Sequence, residues 1–322
     1  MIRTFSTDQS RLQPDDTVGS PDLSATWIDL VNPSPEEVAP LGDLLGITIP
    51  DREDMEEIEV SSRLYRENGA SFMTAILPAQ TDEDEPEMAP VSFILSGRHL
   101  ITVRYHDPRA FTTFPTQAQR TAMKLPDADA VLVGLLEAII DRLADVLERA
   151  GRDIDEVSAS IFRKTDTKSE PQNFQGVLEK IGRKGDLNSH IRDSLMTLER
   201  LAGFLGHVAS ERELGQDLRE RIKTLSRDAR SLTDHSGFLS QKITFMLDAS
   251  LGMINIEQNA TIKIFSVVAV IFLPPTLIAS IYGMNFEYMP ELSWLYGYPF
   301  AIGLMVAAAI LPYFYFKYRD WL

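Results

Sequence analysis

Between two long uncharged segments near the end of the chain lies Tyr282-Gly283-Met284-Asn285-Phe286-Glu287-Tyr288-Met289-Pro290-Glu291-Leu292. This turn carries one amide, two carboxylates and no cation. Asn285 offers a neutral oxygen acceptor. Repeated around a ring of copies, such a carbonyl can hydrogen-bond the water shell of a cation and still release the ion. Glu287 and Glu291 add a negative field that would concentrate cations at a mouth. The chemistry suggested is passage of a hydrated cation. A Gly-Asn turn between helices is common, so the reading depends on what flanks it.

The flanks are membrane-like. Residues 264–286 and 292–316 are runs of 23 and 25 residues without a charge. Each exceeds the roughly 20 apolar residues that cross a bilayer as a helix. We expect spans at about 262–283 and 295–316. Lys263 precedes the first, Lys317 and Arg319 follow the second, and the loop between has no Lys or Arg. The positive-inside rule then places both termini in the cytoplasm. Tyr288, Trp294, Tyr296 and Tyr298 fit an outer aromatic belt, and Tyr318 and Trp321 an inner one.

Steps of three and four along the first span give Asn259, Ile262, Phe265, Ala269, Leu273, Thr276, Ser280 and Gly283. An apolar lower half under a hydroxyl-bearing upper half suits a pore that gates by dewetting. The same stripe also fits ordinary packing of small residues between helices. Two spans cannot enclose a channel, so a pore would require an oligomer.

The remainder of the chain limits the alternatives. The formal charge is −16. Residues 260–322 balance Lys263, Lys317 and Arg319 against Glu287, Glu291 and Asp320, so the whole excess lies upstream. Such an acidic domain does not suit nucleic acid and does suit cations. There is no cysteine, which excludes disulfides and thiolate metal sites. The start has no apolar signal core. No Gly-Lys-Ser/Thr phosphate loop and no acid inside a span is present, and His99, His106, His190, His207 and His235 lack metal-ligand spacing. We therefore expect no enzyme activity and no catalytic cofactor, with membrane potential as the drive.

Three regions follow from pattern. Residues 1–125 read as α/β, with strands near 26–30, 71–77, 91–95 and 100–105 and a helix capped by Ser34. The acidic run 81–87 reads as a solvated hairpin loop. Residues 126–260 read as helices: one through Leu132, Leu136, Ile139, Leu143 and Val146, a break at 166–171, a second over about 172–207, then a third. In the third, Leu218, Ile222, Leu225, Ala229, Leu232, Ser236, Leu239, Ile243, Met246, Ser250 and Met253 form a heptad seam. That seam fits packing within one chain or between copies. No proline interrupts this helix before Pro274, so it should continue to about Tyr282, about 100 Å in all. Residues 261–322 form the two-helix membrane region. The fold class expected is an α+β domain with a long helical stalk and two C-terminal transmembrane helices.

Tyr282-Gly283-Met284-Asn285, the Phe-Glu-Tyr-Met-Pro-Glu-Leu after it, Trp294, Gly297-Tyr298-Pro299 and the Trp321-Leu322 end together resemble the CorA-type magnesium/cobalt transporter family, whose signature is Gly-Met-Asn. The resemblance continues upstream in Asn255-Ile256-Glu257-Gln258-Asn259 and Phe272-Leu273-Pro274-Pro275-Thr276, and more weakly in Trp27-Ile28-Asp29-Leu30. It implies a homopentameric funnel in a bacterial inner membrane, taking up Mg²⁺, with Co²⁺ and Ni²⁺ as further substrates. Gly283, Met284 and Asn285 would form the selectivity filter. Asn259, Ile262, Phe265, Leu273, Thr276 and Ser280 would line the pore. Where some relatives have a methionine gate, this chain has Ile262 and Leu273. In some relatives, Mg²⁺ bound between cytoplasmic domains holds the pore shut; Glu53, Asp54, Glu56, Glu57, Asp228 and Asp234 are candidates for that regulatory site. Two other readings stand beside it. A Zn²⁺ transporter of the same superfamily would depart from the Tyr-Gly-Met-Asn string. A membrane-anchored coiled-coil signalling or scaffold protein would have a larger external loop.

Overall fold

Alternating apolar and β-branched residues build seven strands: β1 Ile2–Asp8, β2 Arg11–Pro14, β3 Trp27–Val31, β4 Leu64–Glu67, β5 Ala70–Ala79, β6 Glu87–Ser96 and β7 His99–Arg104. The computed structural model describes residues 1–8, 11–14, 24–83, 86–121, 123–162, 174–285, 287 and 289–319, with the backbone alone for Val60, Glu291 and Leu292. The expected break at 166–171 lies outside the described residues. The strands form one sheet in the order β2-β1-β3-β7-β6-β5-β4. β3 and β7 are parallel and the other neighbours antiparallel.

Helices cover both faces of this sheet, and β7 is accordingly buried along its length. On one face, α1 (Pro35–Leu45), α2 (Arg52–Glu56) and the link between them bring Leu41, Ile47, Ile49 and Met55 onto Ile28, Leu30, Phe72, Ile94 and Val103. Ser34 caps α1 as expected. Its hydroxyl accepts from the Glu37 N–H at 3.3 Å, and Glu37 accepts from the Ser34 N–H at 3.0 Å. Gly46, at φ 67°, closes the helix in the left-handed region that glycine enters without strain. A single turn, α3 (Val60–Arg63), leads into β4. α4 (Ala110–Arg120), α5 (Ala128–Phe162) and α6 (Phe174–Glu211) complete the layers, with α6 against β5 and α5 against β7.

The Trp27-Ile28-Asp29-Leu30 string acquires a physical role here. Trp27 and Asp29 alternate onto one face of β3. The indole N–H donates to Thr102 Oγ1 at 3.0 Å, and that hydroxyl donates to Asp29 Oδ1 at 2.8 Å. Arg104 binds the same carboxylate through Nη2 at 2.9 Å and Nε at 3.1 Å, with both side chains buried. Its guanidinium also lies over Phe111, 4.7 Å from the ring centre. A slip of one residue between β3 and β7 would bury two unpaired charges, so the network fixes their register.

Asp82, in the loop after β5, is more than solvated surface. It accepts from Arg149, from Arg142 at 3.1 Å and from Arg109 at 2.8 Å. Arg149, then Arg142, hold its carboxyl down to about 2. The expectation of a simple solvated loop is corrected at this residue: sequence adjacency to other acids concealed three arginines from α5 and the α4 approach. Asp84 and Glu85 lie outside the described residues.

α7 runs unbroken from Gln216 to Tyr282. Contacts divide the chain into a unit Met1–Leu247 and a unit Asp248–Leu322. In the first, the heptad seam faces its own chain: Ile222, Leu225, Ala229, Ser236, Leu239, Ile243 and Met246 are buried. Leu239 sits beside Gly151 of α5 and Ile243 beside Gly185 of α6. Asn188 of α6, itself buried, donates to Ser236 O at 3.0 Å and Ser240 Oγ at 2.8 Å, and accepts from Ser236 Oγ at 3.1 Å. Arg221 makes a two-pronged bond to Glu137 of α5 at 2.9 and 2.7 Å.

Candidate cation pathway

The second unit contains the end of α7, a 3₁₀ turn at Pro290–Ser293, and α8 (Gly297–Tyr318). Both helices are long and apolar enough to cross a membrane, and only 6% of the most apolar window of each is buried. Mean hydropathy over those windows is 2.3 and 1.8. Apolar helices so bare need lipid or further copies around them.

What is covered follows a helical rhythm. From Val267 on, on α7 it is Val267, Ile271, Pro274, Pro275, Ile278 and Tyr282; on α8 it is Gly297, Ala301, Met305, Ala308, Ala309, Pro312 and Phe316. Counting outward from the connecting turn puts Tyr282 at the depth of Gly297, Ile278 of Ala301, Pro274 of Met305, Ile271 of Ala308 and Val267 of Pro312. Every residue in these pairs is buried or half-buried. Each helix thus has one covered stripe, and small residues mark that of α8.

The expected pore stripe lies on the other side of α7. At about 100° per residue, Phe265, Leu273, Thr276 and Ser280 fall about 180° from the covered stripe. Ile262 is 61% exposed, Phe265 70% and Leu273 66%; Asn259, Thr276 and Ser280 are exposed too. The Thr276 hydroxyl donates to Phe272 O at 2.8 Å, leaving its oxygen lone pairs on the exposed face. Packing against α8, the other explanation of this stripe, therefore does not account for it within the chain.

The stripe ends at the Gly-Met-Asn turn. Gly283 N–H donates to Ala279 O at 2.9 Å and Met284 N–H to Ile281 O at 3.2 Å, so both residues fold back over the last helical turn. A Cβ on Gly283 would stand 3.2 Å from Ala279 O and 3.7 Å from Ser280 O, which is why a residue without one fits. Asn285 leaves the helix exposed, as does Glu287. Beyond, Ser293 Oγ donates to Pro290 O at 2.8 Å and Gly297 N–H to Trp294 O at 3.0 Å. Trp294 packs on Tyr296 and Phe300, with ring centres 6.3 and 5.8 Å apart, so two residues of the expected outer belt are neighbours. At the other end Arg319 lies 5.9 Å from the centre of the Tyr315 ring. Phe286, Tyr288, Asp320, Trp321 and Leu322, and the side chain of Glu291, lie outside the described residues.

The regulatory candidates are not brought together within one chain. Asp54 accepts from the Asp51 N–H at 3.1 Å as part of the α2 capping box, and Glu56 pairs with Arg52 at 2.9 Å. Glu53 and Glu57 are exposed at α2, while Asp228 and Asp234 are exposed on α7. Among the described residues no group of three or more His, Cys, Asp or Glu could hold a metal ion. One acidic face is nonetheless crowded: burial and then Glu137, Asp145 and Asp228 push the Asp141 carboxyl up. Asp141 was absent from the sequence expectations, though its i, i+4 spacing to Glu137 and Asp145 marks it.

Together these features define a two-span membrane protein with a mixed-sheet domain, in which a bare helix face ends at a Gly-Met-Asn turn. The chain belongs to the CorA-like Mg²⁺ transporter protein family, whose model matches residues 22–318. It is 38% identical over 324 residues to the magnesium transport protein CorA of Haemophilus ducreyi and 37% identical over 323 residues to that of Escherichia coli, covering 100% of each chain. The complete structure of the CorA magnesium transporter from Methanocaldococcus jannaschii has the same fold, with a TM-score of 0.77 at 21% identity over 100% of this chain and 99% of that one.

Proposed function

We propose that copies of this chain form a ring in a bacterial inner membrane and carry Mg²⁺ into the cytoplasm down the membrane potential. The observation that carries this reading is the division of α7 into two opposite faces. One face is covered within the chain. The other, bearing Asn259, Ile262, Phe265, Leu273, Thr276 and Ser280, is bare and leads to Gly283-Met284-Asn285. A bare face with hydroxyls belongs beside water, and a ring places it there. The family resemblance supports five copies, and Lys263, Lys317 and Arg319 support cytoplasmic termini.

Asn285 acts as a neutral filter for an ion that keeps its waters, and Glu287 and Glu291 attract cations without ligating them. Ile262 and Leu273 form the apolar gate. A divalent ion gains about 4.6 kcal/mol per 100 mV, enough for about a thousandfold accumulation. An uptake route of that strength requires feedback. We assign it to Mg²⁺ bridging acidic faces of neighbouring copies and holding the ring closed.

The test is cation flux into proteoliposomes under an imposed potential, comparing Mg²⁺, Co²⁺, Ni²⁺ and Zn²⁺. Potential-dependent Mg²⁺ entry is expected, abolished by Asn285→Ala. Equal Mg²⁺ entry through both proteins overturns the filter assignment. Zn²⁺ entry without Mg²⁺ entry assigns the chain to the zinc branch, and no entry of any metal favours a scaffold.

A further inference from the structure

Proline carries no N–H, so within a helix it leaves the carbonyl four residues earlier without its donor. Pro274 and Pro275 free the carbonyls of Val270 and Ile271 in α7, and Pro312 frees that of Ala308 in α8; both helices continue through these sites. Ile271 lies eleven residues before the end of α7 at Tyr282, and Ala308 eleven residues after the start of α8 at Gly297. Both are half-buried, and the equal count from the connecting turn puts the relaxed bonds of the two spans at one depth.

Little in this unit can replace the lost donors. Residues 299–312 of α8 contain no Ser, Thr, Asn, Gln, His, Lys, Arg, Tyr or Trp. On α7 the Thr276 hydroxyl is already donated to Phe272 O, the next carbonyl in the row. Three successive carbonyls of α7 thus depart from regular helical bonding, two lacking a donor and one having a second. Water entering between the helices is the donor that fits. A helix bends with least resistance where its bonds are already open.

We infer that Pro274, Pro275 and Pro312 form one hinge plane through both spans, at which the outer half of the unit bends against the inner half. Leu273 lies on the opposite face of α7 at that same level. Bending there widens or narrows a ring of Leu273 side chains and re-aims the Gly-Met-Asn turn. The ring in which the motion is read, its response to Mg²⁺ and the link to conduction rest on the transport reading above.

The chain has no cysteine, so single nitroxide labels can be placed on the full-length protein in lipid nanodiscs. Ile302→Cys reports on the outer half of α8 and Phe314→Cys on the inner half; both positions are exposed. Distances between copies are measured with saturating Mg²⁺ and with EDTA. The native chain is expected to show unequal displacements at the two labels. In Pro274→Ala/Pro275→Ala/Pro312→Ala the displacements become equal and Mg²⁺ flux falls about tenfold. An α-hydroxy acid in place of Pro275 lacks both the ring and the N–H, and is expected to keep the unequal motion. Equal displacement in the native chain overturns the hinge, as does unequal displacement persisting in the triple variant. If the triple variant does not fold, Pro312→Ala alone is read by the same criterion. Unequal motion without any Mg²⁺ flux supports the hinge and overturns the transport reading.

Discussion

At the scale of single residues, Gly283 is the most constrained position in the turn. Its N–H reaches Ala279 O at 2.9 Å, and an added methyl would stand 3.2 Å from the same oxygen. Gly283→Ala must therefore shift the turn or Ala279 O by a few tenths of an ångström. We expect an oligomer that still assembles, at a cost of about 1–3 kcal/mol in stability, with Mg²⁺ flux lost. Flux equal to wild type in proteoliposomes would show that the tight fold-back is dispensable. The position of Asn285 in a turn just past the first span was legible from the uncharged runs on either side, and it lies exposed three residues beyond the end of α7. Asp82 was not legible: a carboxylate in an acidic run reveals nothing of arginines 27 to 67 residues away. Arg104 and Asp29 were equally hidden, since a parallel pairing of β3 with β7 joins residues 75 apart.

At the scale of elements, α7 was the clearest reading and also the one left half open. Its heptad seam and the absence of early proline predicted one continuous helix, and it runs from Gln216 to Tyr282. The pattern alone left open whose surface the seam meets. Asn188 decides that, by exchanging hydrogen bonds with Ser236 inside one chain. Asn188→Ala removes the donor to Ser236 O and Ser240 Oγ and leaves Ser236 Oγ only the Asn188 carbonyl at 3.3 Å, while Ser236→Ala leaves the buried Asn188 Oδ1 without its donor. Each is expected to cost about 1–3 kcal/mol. Their combination should cost less than the sum by about 1 kcal/mol or more, measured by denaturant unfolding of the detergent-solubilised protein. Strict additivity would mean the pair does not lock α7 to α6. The short strands were harder. β1 mixes Arg3, Ser6, Thr7 and Asp8 with its apolar residues, and β4 is half exposed, so neither shows the pattern of a buried strand.

At the scale of the whole molecule, the acidic excess and the bare membrane face are two parts of one economy. A potential-driven pathway needs a brake that reads the ion it admits. Glu53, Asp54, Asp228 and Asp234 do not converge within a chain, so a metal held by them must bridge copies. Neutralising all four with amides is expected to raise the Mg²⁺ concentration for half-inhibition of flux about tenfold. Unchanged inhibition would move the sensor elsewhere, with the crowded face around Asp141 the next place to look. Composition showed the acidity, but a metal site shared between copies leaves no spacing signature in one sequence.

Within the second unit the covered residues of α7, Val267, Ile271, Pro274 and Ile278, step four, three and four apart. One added or deleted residue between Val267 and Ile278 would turn the face beyond it by about 100° against the face before it. The covered stripe would break in two, and part of the hydroxyl stripe would leave its line. Insertions and deletions inside the span are therefore tolerated only as whole heptads, a reading-frame rule written in side chains.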